Sequence, residues 1–136
     1  MRKARVTDYR AFALDVLSIV PERPVSFEVF SDDFDEMEQQ ALEISSWGSN
    51  IYVKVPVSNT AGEFSGPVVQ RLSHAGVQVN VTALMTPEQV QRVADCLSPG
   101  TASIVSVFAG RIADTGRDPM PLMAQAVQIL KFCPKA

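Results

Sequence analysis

Four short runs of β-branched and aromatic residues alternate with helix-length segments along this chain, and that alternation restricts the fold more than any other feature. The runs cover residues 25–30, 50–55, 77–82 and 102–108. Thr7 and Asp8 can cap a leading helix that carries Phe12, Leu14, Val16, Leu17 and Val20, with Pro21 and Pro24 to stop it. Asp32 and Asp33 open the next helix, with Met37, Ala41, Leu42 and Ile44 on its apolar face and Gly48 as the expected stop. A third covers about 68–75 and ends at Gly76. Thr86-Pro87-Glu88 joins an N-cap, a proline at the first helical position and an acid in the first turn, so a fourth helix runs from there to about residue 97. Pro99-Gly100 breaks it. A loop rich in Gly and Asp follows the last strand, and a final helix is expected over about 120–132.

The order is therefore one helix, then strand and helix four times, with no linker and no low-complexity stretch. Strands separated by helices of this length predict an α/β domain of parallel βαβ units over residues 1–136. Two architectures compete: an open doubly wound sheet, or part of a (β/α)8 barrel, which needs about 250 residues when intact. Periodicity does not choose between them.

Composition narrows the function. Hydrophobic residues make up 46% of the chain and the net charge is −3, which fits an ordered core. There is no Lys/Arg stripe to track a nucleic acid. No apolar run approaches the roughly 20 residues that span a bilayer, and Arg2, Lys3 and Arg5 lead into Asp8, Tyr9 and Arg10 rather than a signal-peptide core. A soluble cytoplasmic protein acting on a small substrate or a protein partner is the expectation. Cys96 and Cys133 lack any paired or metal-ligand spacing and read as free thiols.

Catalytic groups of parallel α/β proteins gather at the C-terminal ends of the strands, and each strand here carries a polar residue near that end. Glu28 lies toward the end of the first run. Lys54 sits inside Tyr-Val-Lys-Val-Pro, where an apolar residue would be ordinary. Asn80 and Thr82 are two apart and so share a face. Ser106 lies between Val105 and Val107, with Arg111 just beyond. A single lysine in a strand usually faces solvent, but parallel strands are covered on both faces, and four polar strand ends together call for a reason. A lysine desolvated among apolar neighbours offers a neutral amine, which attacks a ketone to form a Schiff base, an electron sink for carbon–carbon cleavage. Glu28 with Thr82 and Asn80 are of the types that hold and use a catalytic water. An arginine beside a serine suits a phosphate.

The stretches Val-Ser-Phe-Glu-Val, Val-Lys-Val-Pro-Val, Gly-Val-Gln-Val-Asn-Val-Thr and Ser-Val-Phe-Ala-Gly-Arg-Ile-Ala-Asp-Thr-Gly-Arg-Asp resemble, in order and spacing, the central motifs of the transaldolase and fructose-6-phosphate aldolase family. The resemblance implies a TIM barrel, of which this chain covers about half, strands three to six with their helices. It implies Lys54 as the Schiff-base lysine, with Glu28 and Thr82 holding the catalytic water. It places Asn80 on substrate hydroxyls and Ser106 and Arg111 near the substrate's phosphate. It also implies a sugar phosphate as substrate, no metal and no organic cofactor, and a place in carbohydrate metabolism, in the pentose phosphate pathway. The aldolase branch tends to have glutamine at the position of Glu28 and tyrosine at that of Phe108; this chain has the transaldolase choice at both, which favours dihydroxyacetone transfer over aldol cleavage. Val107 replaces the family's usual proline. Four strands do not close such a barrel, so the chain is expected to be a fragment or truncated form of a longer enzyme, or to pair with a second copy as a homo-oligomer. A non-catalytic half-barrel that only self-associates, or a different Schiff-base aldolase such as one acting on deoxyribose phosphate, are the competing readings.

Other polar residues have simpler expected roles. His74 reads as a helix-end or solvent residue, Trp47 as packing, and Asp32 to Glu36 as capping rather than a metal site. Asp114 is placed to pair with Arg111, and Arg117 and Asp118 to support a loop.

Overall fold

The computed structural model describes residues 6–133, 135 and 136; Arg2, Lys3 and Arg5 lie outside the described residues. The elements in chain order are α1 (Tyr9–Ile19), β1 (Val25–Glu28), α2 (Phe34–Ser45), β2 (Ile51–Pro56), α3 (Gly66–His74), β3 (Val79–Leu84), α4 (Pro87–Ala94), β4 (Ser103–Val107), α5 (Ala109–Asp114) and α6 (Met120–Leu130). The strands form one parallel sheet in the order β1-β2-β3-β4.

That order decides between the two architectures. Crossovers between parallel strands are right-handed, so strands laid down in chain order send every connecting helix to the same face. A doubly wound sheet reverses direction partway and places helices on both. The chain has the singly wound order of a (β/α)8 barrel.

The core lies between that helical layer and one face of the sheet. Phe27, Ile51, Val53, Val55, Val79 and Val81 meet Met37, Ala41 and Ile44 of α2, Val68, Val69 and Leu72 of α3, and Val90 and Val93 of α4. Full burial of one such side chain contributes about 1.5–3 kcal/mol, so this layer sets the sheet's position. Capping fixes the helices locally. Asp8 accepts from the Ala11 amide at 3.0 Å, and Asp33 from the Asp35 and Glu36 amides. Thr86 and Gln89 form a reciprocal capping box at the start of α4. Gly76, at φ +87°, closes α3: its amide bonds the Ser73 carbonyl and the Val77 amide bonds the Leu72 carbonyl, a double closure that needs a left-handed residue.

Several boundaries differ from the sequence expectation. β1 stops at Glu28 because the Phe30 and Ser31 amides turn to the Gln40 side chain, at 2.7 and 3.1 Å. Ser46, rather than Gly48, caps α2, and Gly48 keeps ordinary backbone angles. α4 ends at Ala94, three residues early. The first part of the Gly/Asp-rich stretch after β4, expected as a loop, is the helix α5, in which Gly110 is a weak helix former, while Thr115 to Pro119 form the expected loop. Cys96 and Cys133 are free thiols, as expected. No helix among the described residues is long and apolar enough to cross a membrane.

Candidate active site

Alternation along the strands puts one set of residues into the helical layer and the other on the opposite face. In β2 the helix-side residues are Ile51, Val53 and Val55, all buried, while Tyr52, Lys54 and Pro56 face away. The parallel register carries this face across the sheet: Glu28 lies beside Lys54, Lys54 beside Asn80, and Asn80 beside Ile104. Glu28, Lys54, Asn80 and Ser106, one polar position from each strand, therefore belong to the face without helices.

Lys54 Nζ stands 3.6 Å from Glu28 Oε2. The lysine is not sealed among apolar groups as the sequence expectation had it: its side chain is 31% exposed and that of Glu28 48%. The apolar neighbours of the motif, Val53 and Val55, point to the other face and leave Lys54 open.

Asn80 is 9% exposed and held at both ends. Its Nδ2 donates to Ser26 Oγ at 3.1 Å, and its Oδ1 accepts from Ser106 Oγ at 2.8 Å. Ser26 and Asn80 sit on strands separated by β2. Neighbouring strands lie about 4.8 Å apart, and an asparagine and a serine meet across two such spacings only where the face curves inward. The polar face is the concave one, as the inside of a barrel would be. Ser26 was missed in reading the sequence, although its position two residues before Glu28 already places it on the same face.

Thr82 is 3% exposed, and its carbonyl accepts from the Val57 amide at 2.9 Å. Just beyond it the ladder to β4 is irregular between Val81 and Leu84, and Ala83 adopts φ +64°. A left-handed alanine costs about 1–2 kcal/mol, and such strain collects where a strand end is re-aimed. Nothing in the sequence marks this position.

Phe108 and Arg111 lie apart from that cluster. The Phe108 amide bonds the Leu84 carbonyl at 2.9 Å and the residue precedes α5. Arg111 is on α5, with Val107, Phe108, Ala109, Gly110 and Asp114 around an open depression of about 560 Å³. Its Nη1 lies 3.4 Å from Asp114 Oδ2, so the anticipated pair forms, within a helix rather than a loop and largely exposed to solvent. Asp118 accepts from the Met120 amide at the start of α6, and His74 is an exposed helix end. Trp47 packs edge-on against Tyr9 and Phe27. The acidic run divides its work: Asp33 caps α2, whereas Asp32 bonds the backbone and hydroxyl of Thr60.

The sequence profile of the family described as Transaldolase/Fructose-6-phosphate aldolase matches residues 5–135. This chain belongs to that family. Among curated relatives, a probable transaldolase of Dehalococcoides mccartyi is 33% identical over 129 residues, covering 95% of this chain and 56% of that protein. One from Roseiflexus castenholzii is 35% identical over 131 residues, with 96% and 56% covered. One from Methanococcus maripaludis is 32% identical over 122 residues, with 90% and 53% covered. The chain thus spans about half the length of the curated relatives it matches, in agreement with a sheet holding four strands of an eight-stranded fold.

Proposed function

We propose that this chain carries the imine-forming half of a transaldolase, which transfers a dihydroxyacetone unit between sugar phosphates through a Schiff base on Lys54. The observation that carries the reading is the Glu28–Lys54 pair, 3.6 Å apart at the carboxyl ends of adjacent strands on the concave face.

The proton that must leave the Lys54 ammonium before attack has the Glu28 carboxylate beside it. The free amine adds to the ketose carbonyl carbon, the carbonyl oxygen leaves as water, and the resulting iminium accepts the electron pair of the adjacent C3–C4 bond as that bond breaks. The released fragment departs as an aldehyde as its C4 hydroxyl gives up a proton. The remaining enamine attacks the aldehyde carbon of an acceptor, whose oxygen takes up a proton, and water hydrolyses the new iminium to free the ketose product and the Lys54 amine. Glu28, with Thr82, holds the water that relays protons in these steps. Asn80, its amide oriented by Ser26 and Ser106, presents hydrogen bonds to substrate hydroxyls. Arg111 with Ser106 takes the phosphate end, and Phe108 lines that side. The reaction uses neither metal nor organic cofactor, and its setting is cytoplasmic sugar-phosphate metabolism in the pentose phosphate pathway. Glu28 and Phe108 weigh toward transfer over fructose-6-phosphate cleavage.

A homo-oligomer is part of the same proposal. Among the described residues the sheet ends at β1 and β4, and its concave face has no second layer; a non-catalytic, self-associating half-barrel is the alternative this favours.

The test is borohydride trapping with fructose 6-phosphate, read by intact mass and peptide mapping. A stable adduct on Lys54, absent in Lys54→Ala, supports the assignment. A folded sample that traps nothing overturns it in favour of the non-catalytic form.

A further inference from the structure

Glu28 carries the proposed carboxylate, yet it is the last residue of a four-residue strand at the edge of the sheet. Backbone groups along a strand point alternately to its two sides. Val25 and Val29 donate toward β2, to the Asn50 and Lys54 carbonyls at 3.0 and 3.2 Å. The N–H and C=O of Glu28 therefore point outward, to the side with no neighbouring strand among the described residues. Unpaired groups at the end of a short edge strand fray easily, and fraying here would move the carboxylate.

One side chain occupies that place. The Glu28 amide donates to the Tyr9 hydroxyl at 3.0 Å, and the same hydroxyl lies 3.5 Å from the Glu28 carbonyl, to which it donates. Tyr9 thus does for Glu28 what an adjoining strand would do. Its ring is clamped edge-on by Phe27, Phe30 and Trp47, with centroids 5.9, 4.9 and 5.8 Å away. Edge-on aromatic pairs of this kind add about 0.5–1.5 kcal/mol each beyond their buried area, so the hydroxyl is delivered by a rigid ring. Burial raises the Tyr9 phenol above its ordinary value, which keeps it protonated and able to act as donor and acceptor together.

We propose that Tyr9 is a positioning residue: its hydroxyl locks the edge backbone of Glu28 and thereby holds the Glu28 carboxylate against Lys54. This rests on the Schiff-base reading of Lys54 for its catalytic consequence, but the lock itself is measurable without substrate.

The experiment compares the 136-residue chain with Tyr9→Phe, which removes the hydroxyl and keeps the ring, and with Phe30→Leu, which disturbs the aromatic clamp and keeps the hydroxyl. Amide hydrogen exchange is read residue by residue, and borohydride trapping at Lys54 is read as a rate. In Tyr9→Phe the Glu28 amide should exchange about five- to tenfold faster, as expected for loss of one hydrogen bond, while the β2 and β3 amides and the melting temperature stay near wild type. Imine trapping should slow several-fold in the same variant. In Phe30→Leu, which loosens the clamp but keeps the hydroxyl, the Glu28 amide should exchange faster than in wild type but more slowly than in Tyr9→Phe. Unchanged Glu28 exchange in Tyr9→Phe overturns the lock, and selective exchange with an undiminished trapping rate overturns its positioning role. If the wild-type chain itself traps no imine, it is the Schiff-base reading that fails, and Glu28 exchange still decides whether Tyr9 holds the strand edge.

Discussion

Glu28 and Lys54 are register partners on β1 and β2, and their charged groups stand 3.6 Å apart on the face that carries no helices. The pairing follows from strand geometry: each residue faces away from the helical layer because its neighbours, Phe27 and Val53, are buried in it. The hydrophobic pattern that folds the sheet is therefore also what puts a carboxylate beside an amine. As a solvent-exposed ion pair it contributes little to stability, and its significance is chemical.

Replacing Glu28 with glutamine separates those two contributions. The amide keeps the size of the side chain but cannot take a proton from Lys54 or from a water. A positioned general base contributes about 10²–10⁴-fold, so Glu28→Gln should slow imine trapping at Lys54 by about 10²-fold or more. The melting temperature should hardly move, because an exposed pair is worth at most about 1 kcal/mol. Wild-type trapping kinetics in this variant would remove Glu28 from the mechanism.

Asn80 should behave in the opposite way, with a structural cost that Glu28 lacks. Its amide joins Ser26 on β1 to Ser106 on β4, and the residue is 9% exposed. Asn80→Ala removes both bonds and leaves two half-buried hydroxyls without that partner, and at about 0.5–1.5 kcal/mol per bond the loss should come to about 1–3 kcal/mol. Ser26→Ala and Ser106→Ala each remove one bond and leave one end of the buried Asn80 amide unpaired, so each should also cost about 1 kcal/mol or more. Urea unfolding reads all three; an Asn80→Ala variant within about 0.5 kcal/mol of wild type would show that the chain of bonds does not hold the concave face.

The parts of this site legible in the sequence are those set by local pattern. Lys54 stands out because it interrupts a run of valines, and Asn80 and Thr82 share a face by spacing alone, so the strands and the polar face could be read before any tertiary contact was known. The relations that were not legible join residues distant in sequence: Tyr9 with Glu28, Asn80 with Ser26 across a whole strand, and Asp32 with Thr60. Each depends on which loops and edges come together after the helices dock, and no residue type announces it. The exposure of Lys54 belongs here too, since a strand motif shows what flanks a residue along the chain and nothing of what lies above it. α5 escaped for the reverse reason. Its glycine and aspartate resemble loop residues, and its place directly after β4 outweighs their weak propensity.

Asp32 provides the pH-dependent case. Its carboxylate accepts from the Thr60 hydroxyl at 2.6 Å and the Thr60 amide at 2.8 Å, tying the loop after β1 to the loop after β2. Hydrogen bonds to the ionised form, the hydroxyl's first, hold the Asp32 carboxyl below the ordinary aspartate range. A carboxyl depressed in the folded state stabilises above its unfolded value, and that contribution disappears as pH falls through the lower, folded one. The tie between the two loops should therefore be intact at neutral pH and release only in acid, below the pH at which an unperturbed aspartate protonates. Thr60→Val deletes the stronger of the two bonds and leaves the amide. Its effect should be to move the Asp32 titration, followed by carboxyl carbon NMR, upward toward the ordinary range. The same Asp32 midpoint in both proteins would mean that Thr60 does not hold this carboxylate in solution and that the two loops are joined by something else.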